Sequence, residues 1–177
     1  MKLSQLFEKL EKSKAFKELK KESKDAFFCA GFFILNFKQN TSEYSLDFRD
    51  DKNIFTFKFP SQGDEKQEII KIKDELLPAP KPLDEIDRKL ISKLKVDIEQ
   101  LQPIIEKSMD KNKVIAKLEE SIAVLQTLEG KLIWNLTCVC AGFVILNIHI
   151  NAISGEVTRF EKKNMMDFMT IKKPEKK

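Results

Sequence analysis

Apolar residues near the start of the chain recur with the period of an α-helix. Leu3, Leu6, Leu10 and Leu19 are separated mainly by Lys and Glu. Residues three or four positions apart lie on one side of a helix, so this spacing predicts an amphipathic helix over 3–22.

The period changes near residue 26 to the alternation that is typical of strands. Leu46 and Phe48 alternate with polar residues, and so do Phe55 and Phe57. The pattern predicts three antiparallel strands, at 26–38, 43–49 and 54–59.

The middle of the chain is first polar and then helical in pattern. Residues 60–83 predict a linker, within which 68–73 has the alternation of an extra edge strand. Asp97 and Gln100 have the spacing of a capping box, and Gly130 stands where a helix C-cap is expected. The helical patterns cover 84–95, 98–109 and 113–129, after which strands resume.

One octapeptide occurs twice in nearly the same form. CAGFFILN at 29–36 recurs as CAGFVILN at 140–147, and the offset of 111 gives eleven identities over the 29 positions from 29 to 57. Composition alone would supply roughly two, so the match indicates duplication. A competing alignment pairs the hairpin at 46–57 with 148–160, which leaves the register of the repeat open.

These patterns predict an α+β fold built from two repeats of a helix followed by an antiparallel β-meander, with extra helices between them. The first repeat covers 1–59 and the linker 60–83. The second repeat, with the additional helices and a basic tail, covers 84–177.

The charges of the chain are mostly interleaved. The formal net charge of +4 comes from 32 basic and 28 acidic residues. The clearest basic cluster is the tail, Lys172, Lys173, Lys176 and Lys177, which favours a solvated terminus over a binding arm. Because a nucleic-acid interface concentrates Lys and Arg among aromatic residues, we expect no nucleic-acid partner.

Compartment and membrane contact are predicted from the start of the chain and from its cysteines. The first 22 residues are charged throughout, unlike a signal peptide, and no apolar run reaches the ~20 residues of a spanning helix. Three Cys residues without a CxxC motif fit a reducing compartment. We therefore expect a cytoplasmic protein with no membrane partner.

The residues with the most reactive chemistry are Cys29, Cys138, Cys140 and His149. Cys138 and Cys140 share one face of a predicted strand with Trp134, which favours a buried core position over a metal site or a nucleophile. The glycines form no phosphate-binding loop. We therefore expect no catalytic residue, metal or cofactor, and no enzymatic activity.

Two predicted strands are apolar on both faces. In the first half, Phe28, Phe32 and Ile34 are predicted to point to one face of the strand while the apolar residues between them point to the other. In the second half, Phe143 and Ile145 are likewise opposed by their apolar neighbours. A single helix layer covers only one face of a sheet, so the other face meets the second repeat, the helices predicted between 84 and 129, another subunit or a partner. These five residues are the candidate partner surface.

The segment 146–160 resembles the signature hairpin of PepSY-like domains, in which a strand ends in an Asp-Ala-x-Thr-Gly-x-Val turn. Here the turn runs from Asn151 to Val157, with Gly155 at the position that needs a positive backbone angle. With the preceding helix, the resemblance covers about 97–160. It implies a cystatin-like helix-on-sheet fold and a non-enzymatic binding module, often found in peptidase propeptides.

The sequence thus predicts a binding or assembly module that acts through a sheet face or edge on a protein partner or on itself, with peptidase regulation as a narrower version. The alternative is a small-molecule-binding protein or enzyme with a pocket between helix and curved sheet. A cavity shared by Cys29, Trp134, Cys138 and His149 would favour that alternative.

Overall fold

The computed structural model describes residues 1–61, 67–75 and 83–164. Its helices are α1 (Leu3–Lys12), α2 (Lys14–Glu22), α3 (Arg88–Ile91) and α4 (Leu101–Lys111), the last preceded by a 3₁₀ turn at Ile98–Gln100. Its strands are β1 (Phe27–Asn36), β2 (Thr41–Arg49), β3 (Asn53–Lys58), β4 (Ile70–Glu75), β5 (Leu118–Leu128), β6 (Lys131–Cys140), β7 (Val144–Asn151) and β8 (Val157–Asn164). The α+β class is confirmed, although strands outweigh helices more than the sequence pattern predicts.

All eight of these strands form one antiparallel sheet in the order β4-β3-β2-β1-β5-β6-β7-β8. Each run of four consecutive strands is a meander, and the two runs meet where β1 pairs with β5. At this junction Phe32 lies opposite Val124, and Ile34 lies opposite Ile122. The two halves of the chain therefore share one hydrogen-bonded layer.

The helices cover one face of the sheet, which we call the helix side. Phe7 of α1 meets Phe28 edge to face at 4.9 Å, and Phe16 of α2 meets Phe48 at 5.4 Å. Such aromatic pairs add to the stabilisation from buried area. The predicted helix over 3–22 is divided at Ser13, whose hydroxyl accepts a hydrogen bond from the backbone N–H of Phe16 and so caps α2.

A β-bulge in β1 corrects the prediction for Phe28. The register with β2 shifts between Phe28 and Ala30, so Cys29 is an extra residue and the alternation reverses there. Phe28 consequently lies on the helix side and is only 2% exposed, whereas Phe32 lies on the opposite face. Phe28 does not belong to the candidate surface.

The helix predicted over 113–129 is wrong, because this segment contains β5. Ala123 and Leu125 are buried on the helix side, while Ile122 and Val124 lie half-buried on the other face. An apolar residue on both faces produces spacings of three and four that resemble a helical period. Gly130, expected at a helix C-cap, instead forms with Glu129 the two-residue turn between β5 and β6, where both residues have positive φ.

The range predicted as a linker contains the edge strand β4, which confirms the alternation at 68–73. Lys71 and Lys73 of β4 each contact a carboxylate oxygen of Glu22 at 2.7 Å, which connects β4 to α2. The rest of the linker is only partly described, since 62–66 and 76–82 lie outside the described residues. The boundary between two domains stays a prediction.

The helices predicted at 84–95 and 98–109 agree with the structure to different degrees. The segment 84–95 forms only the short helix α3, and Ile86 is buried with its N–H donating to the carbonyl of Phe28 at 2.8 Å. The pattern at 98–109 is confirmed by the 3₁₀ turn and α4. The capping box is confirmed as well, because Asp97 accepts from the N–H of Ile98 and Gln100 accepts from the N–H of Asp97.

The two copies of the octapeptide adopt different structures. Residues 29–36 lie within β1, whereas 140–147 cover the last residue of β6, a turn and the start of β7. The offset of 111 therefore does not relate structurally equivalent positions, and the fold does not confirm the repeat. The basic tail from Lys172 to Lys177 lies outside the described residues.

Candidate functional site

The face of the sheet opposite the helices, the open face, carries apolar side chains at its centre. Phe32 and Ile34 of β1 are paired with Val124 and Ile122 of β5, and Val139 of β6 is paired with Ile145 of β7. Directly opposed residues of an antiparallel pair share a face. We call these six residues the open-face patch: Phe32, Ile34, Ile122, Val124, Val139 and Ile145.

The open-face patch is in contact with solvent. Phe32 is 37% exposed, and the other five side chains are half-buried by one another and by their polar neighbours. None of the six belongs to the hydrophobic core formed by the buried residues of the helix side. Among the described residues, the hydrophobic core therefore leaves this apolar surface uncovered.

A shallow hollow of about 190 Å³ lies beside the patch. Phe32 and Ile34 form one wall, and Phe59 lies in the lining with Glu43 and Lys58. The hollow thus combines aromatic surface with one acidic and one basic group. The hollow is therefore complementary to a partner's side chain that has an apolar body and a polar end.

The open face becomes polar toward β8. Asn135 is paired with His149, and His149 with Arg159. Arg159 forms an ion pair with Glu161 at 2.7 Å. Burial and the nearby Arg159 guanidinium lower the pKa of His149, so its imidazole is neutral at pH 7. The apolar part of the face is consequently limited to the central strands.

The structure separates the five predicted surface residues. Phe32, Ile34 and Ile145 lie on the open face, whereas Phe28 lies on the helix side. Phe143 is 65% exposed, but it belongs to the β6–β7 turn at the end of the sheet.

Three members of the open-face patch are absent from the predicted surface. Val139 lies in a strand that was predicted but was not assigned to the surface, and Ile122 and Val124 lie in a segment that was predicted to be helical. Their alternation with Ala123 and Leu125 was the available signal.

The residues that would favour a pocket do not share one. Trp134 is fully buried on the helix side, where its indole N–H donates to the carbonyl of Val96 at 2.8 Å. Cys138 is buried on the same side, with its sulfur 3.5 Å from the hydroxyl of Ser121. His149 lies on the open face, and Cys29 lies in the bulge of β1.

The thiols of Cys29 and Cys138 are placed as core residues. Burial raises the pKa of each thiol to about 12, so both are protonated at neutral pH. Because the thiolate is the nucleophilic form, neither side chain is activated for covalent chemistry.

A buried acidic group lies on the open face close to Cys29. Burial raises the pKa of Asp47, and its Oδ1 atom has no hydrogen-bond partner within the part of the chain that the structure describes. Arg49 follows two residues later, with its guanidinium over the ring of Phe27 at 5.3 Å and a hydrogen bond to the carbonyl of Leu83 at 3.3 Å. The Nε atom of Arg49, like Asp47 Oδ1, is buried without a hydrogen-bond partner among the described residues.

The described part of the chain contains neither a cluster of metal ligands nor a membrane-spanning helix. No group of three His, Cys, Asp or Glu side chains there has the arrangement of a metal site. No helix within 1–61, 67–75 or 83–164 is long and apolar enough to cross a membrane.

Comparison with known proteins identifies a similar fold. No protein-family model matches the chain, and no curated protein matches it. Among solved structures, the chain is similar to the crystal structure of a "putative lipoprotein" from Clostridium difficile 630, with a TM-score of 0.50 and 18% sequence identity. The match covers 84% of this chain and 90% of the other. At this identity the similarity shows the fold alone, and a shared fold does not imply a shared function.

Proposed function

We propose that the protein is a non-enzymatic binding or assembly module that acts through the open face of its sheet. The open-face patch is the observation that carries this proposal. Its apolar side chains form a group of four on β1 and β5 and a pair on β6 and β7, with Val139 diagonal to Ile122, and all six are left outside the core. Contiguous apolar surface of this kind marks sites of protein contact.

The partner is a protein, either a different chain or a second copy of this one. An aromatic side chain beside a hollow with charged walls is the kind of anchor point that contributes most of the binding energy in protein interfaces. Phe32, with Glu43 and Lys58 nearby, has this arrangement. The strand pairing holds Phe32 in place before a partner arrives, which reduces the entropy lost on binding.

Regulation of a peptidase by a PepSY-like module is the narrower version of this proposal. The geometry of the turn after β7 supports it. Asn151 Oδ1 accepts hydrogen bonds from the N–H groups of Ile153 and Ser154, both at 2.9 Å, and Gly155 has a φ of +77°. Asn151 thus bonds its own turn as the Asp of the PepSY-like signature would.

We also propose that the chain arose by duplication of a helix followed by a meander. The order of elements supports it, because helical segments precede four antiparallel strands in each half. The first strands of the two meanders, β1 and β5, are neighbours at the centre of the sheet.

The three buried free cysteines support a reducing compartment, and we propose the cytoplasm.

Affinity capture with matched variants tests the proposal. Phe32→Glu places a charge in the centre of the open-face patch, and Ile115→Glu makes the same change at a side chain that is 99% exposed outside the patch. If the partner is a different protein, we expect the wild type and Ile115→Glu to capture it from native lysate and Phe32→Glu to lose it. If the partner is a second copy of the chain, light scattering should show a dimer for the wild type and Ile115→Glu and a monomer for Phe32→Glu.

Two outcomes would contradict the proposal. One is a partner that binds wild type and Phe32→Glu equally. The other is a small molecule retained through purification and detected by native mass spectrometry, with no protein partner. Circular dichroism of both variants checks that a loss of binding is not a loss of fold.

A further inference from the structure

Two loops meet at the end of the sheet where α4 leads into β5. The backbone N–H of Ala141, in the β6–β7 turn, donates to the carbonyl of Lys117 at 2.8 Å. The neighbouring residues Leu118 and Cys140 are paired in the sheet. The loop at 112–117 and the turn at 141–143 therefore lie side by side, and we call them together the tip.

Each loop of the tip presents one exposed apolar side chain. Ile115 is 99% exposed, and Phe143 is 65% exposed. The tip hydrogen bond between Lys117 and Ala141 lies two residues from each of them. Because two residues of extended chain span about 7 Å, the two side chains are within roughly 20 Å of each other.

The backbone of Phe143 adopts a conformation that is unfavourable for a residue with a side chain. Its φ is 62°, and Gly142 before it has a φ of 78°. The left-handed region suits Gly or Asn, and a bulky residue there is strained. Since Phe143 buries little of its ring, packing within the described chain does not offset this strain. The tight turn between β6 and β7 imposes this conformation, as the β5–β6 turn does at Glu129, and it holds the ring of Phe143 in solvent.

Lysines surround these two side chains. Lys113 and Lys117 belong to the first loop, and Lys162 and Lys163 end β8 next to the start of β7. All four are exposed, and none of them forms an ion pair with a carboxylate of the described residues. The acidic groups nearby are Glu106, Asp110, Glu119 and Glu161. Glu106 and Asp110 line a hollow together with Lys113 and Ile115, whereas Glu119 is paired with Lys38 at 3.6 Å and Glu161 with Arg159.

We propose that the tip binds an anionic lipid surface. Lysines are attracted to the negative charge of such a surface, and exposed Ile and Phe side chains enter the boundary between headgroups and acyl chains. The four exposed lysines form no ion pair with a carboxylate of the described residues, and they supply the positive charge that meets this surface. The contact is peripheral and reversible, and it departs from the sequence-based expectation that the protein has no membrane partner.

This inference does not depend on the proposed function of the open face. The open-face patch is bordered by charges of both signs, with Glu43 beside Ile34 and Glu120 beside Val139, and with Lys58 and Lys163 beside Phe32 and Ile145. Its β1–β5 part lies beside Glu43 and Glu120, which an anionic surface would repel. The tip has the opposite charge. A protein that attaches to a membrane by its tip leaves the open face available for a protein partner.

Co-sedimentation of the full chain with vesicles tests the proposal. We expect binding to vesicles of phosphatidylglycerol and phosphatidylcholine, little binding to phosphatidylcholine alone, and a decrease as salt is raised. The double variant Ile115→Ser/Phe143→Asn should reduce the partition coefficient by about tenfold or more. Asn is chosen because it tolerates positive φ, so the variant keeps the turn.

Charge variants give an independent readout with a matched control. The triple variant Lys113→Gln/Lys117→Gln/Lys163→Gln should reduce binding by at least roughly tenfold at low salt. Exposed lysines of α1 and α2 provide a triple control with the same change in net charge: Lys9→Gln, Lys12→Gln and Lys17→Gln. Ile70→Ser, on the edge strand β4, is the control for loss of an exposed apolar residue. Both controls should retain most of the binding.

The proposal is overturned by any of three results. These are no sedimentation with anionic vesicles at 50 mM salt, equal binding to neutral vesicles, and equal binding by the tip variants and their controls. A protein partner that is lost with the tip variants in the absence of lipid would also overturn it, because the tip would then be a protein interface. Thermal unfolding of each variant confirms that it is folded.

Discussion

One residue, Cys29, decides which aromatic side chains of β1 enter the core. Strict alternation along the sequence places Phe28 with Phe32 and Ile34, but the bulge moves Phe28 to the helix side, against the ring of Phe7. A bulge depends on how the partner strand is paired, and the residues around Cys29 carry no local sign of it. Alternation therefore predicts the faces of β1 correctly only beyond the bulge.

Separate substitutions of Phe28 and Phe32 measure how much more the buried ring contributes to stability than the exposed one. Phe28→Ala should lower the free energy of unfolding by about 3–5 kcal/mol, because it leaves a cavity in the core. Phe32→Ala should lower it by less than about 1.5 kcal/mol, since Phe32 is already partly in water. Urea unfolding of both variants gives the comparison. Similar losses for the two would show that both rings lie in equivalent surroundings.

A second effect at the residue scale is the pH dependence contributed by Asp47. Burial raises its pKa in the folded state, so the folded protein binds this proton more tightly than the unfolded chain does. The contribution of Asp47 to stability is then most favourable below its unfolded pKa, and it decreases as pH rises through the folded pKa. At pH 7, which lies above the unfolded pKa, the tighter proton binding of the folded state lowers the stability of the fold.

We therefore expect Asp47→Asn to raise the free energy of unfolding at pH 7. The gain should shrink as the pH is lowered, because the wild-type carboxyl becomes neutral too. Asp51→Asn, at an exposed turn position, is the control and should show little change. Denaturant unfolding of the three proteins at several pH values tests this, and a loss of stability in Asp47→Asn at pH 7 would contradict it.

At the scale of elements, the sequence predicts the parts whose period depends on one buried face. Elements of this kind are α4, β2, β3 and the edge strand β4. The capping box before α4 is also visible in the sequence. β5 was predicted incorrectly because it is central in the sheet and carries apolar residues on both faces. Its partner β1 comes from the other half of the chain, so the pairing that makes it a strand is absent from any local window.

Asp97 connects two elements that are distant in sequence. Its Oδ1 atom accepts a hydrogen bond from Ile98 at the start of the 3₁₀ turn and another from the N–H of Leu3 at the start of α1, at 2.7 and 2.9 Å. One carboxylate thus caps two helical segments, one from each half. The capping box is visible in the sequence, whereas the contact with Leu3 requires the fold.

Removal of this shared cap should be more destabilising than removal of a single cap. We expect Asp97→Ala to lower the free energy of unfolding by about 2 kcal/mol or more, since a cap typically contributes about 1 kcal/mol. Asp87→Ala removes only the cap of the short helix α3, where Asp87 accepts from the N–H of Lys89. Equal effects in thermal unfolding would show that the bond to Leu3 adds nothing.

At the scale of the whole molecule, the candidate surface depends on the joining of the two meanders. Phe32 and Ile34 come from the first, while Ile122, Val124, Val139 and Ile145 come from the second. The sequence identified three of these six residues, and it left open whether the second face of the sheet meets the other repeat, the helices from 84 to 129, another subunit or a partner. It did not show that β1 and β5 are neighbours, because that contact is set by the packing of two halves separated by a linker.

The same junction determines how the protein unfolds. Besides the β1–β5 pairing, the ring of Phe33 in β1 meets the indole of Trp134 in β6 at 5.3 Å, and the core forms one cluster across both halves. We therefore expect a single cooperative transition in place of separate transitions for 1–59 and 84–177. Trp134, the single tryptophan, reports on the second meander.

A substitution in the first meander makes this test specific. Phe57 is fully buried and meets Phe16 and Phe48, and Phe57→Ala should lower stability by about 3–5 kcal/mol. If the sheet unfolds as one unit, Trp134 fluorescence and far-ultraviolet circular dichroism should shift together to lower denaturant. If Trp134 fluorescence keeps its wild-type midpoint while circular dichroism shows an earlier transition, the two halves are independent, and the open-face patch would be divided between two separately folding units.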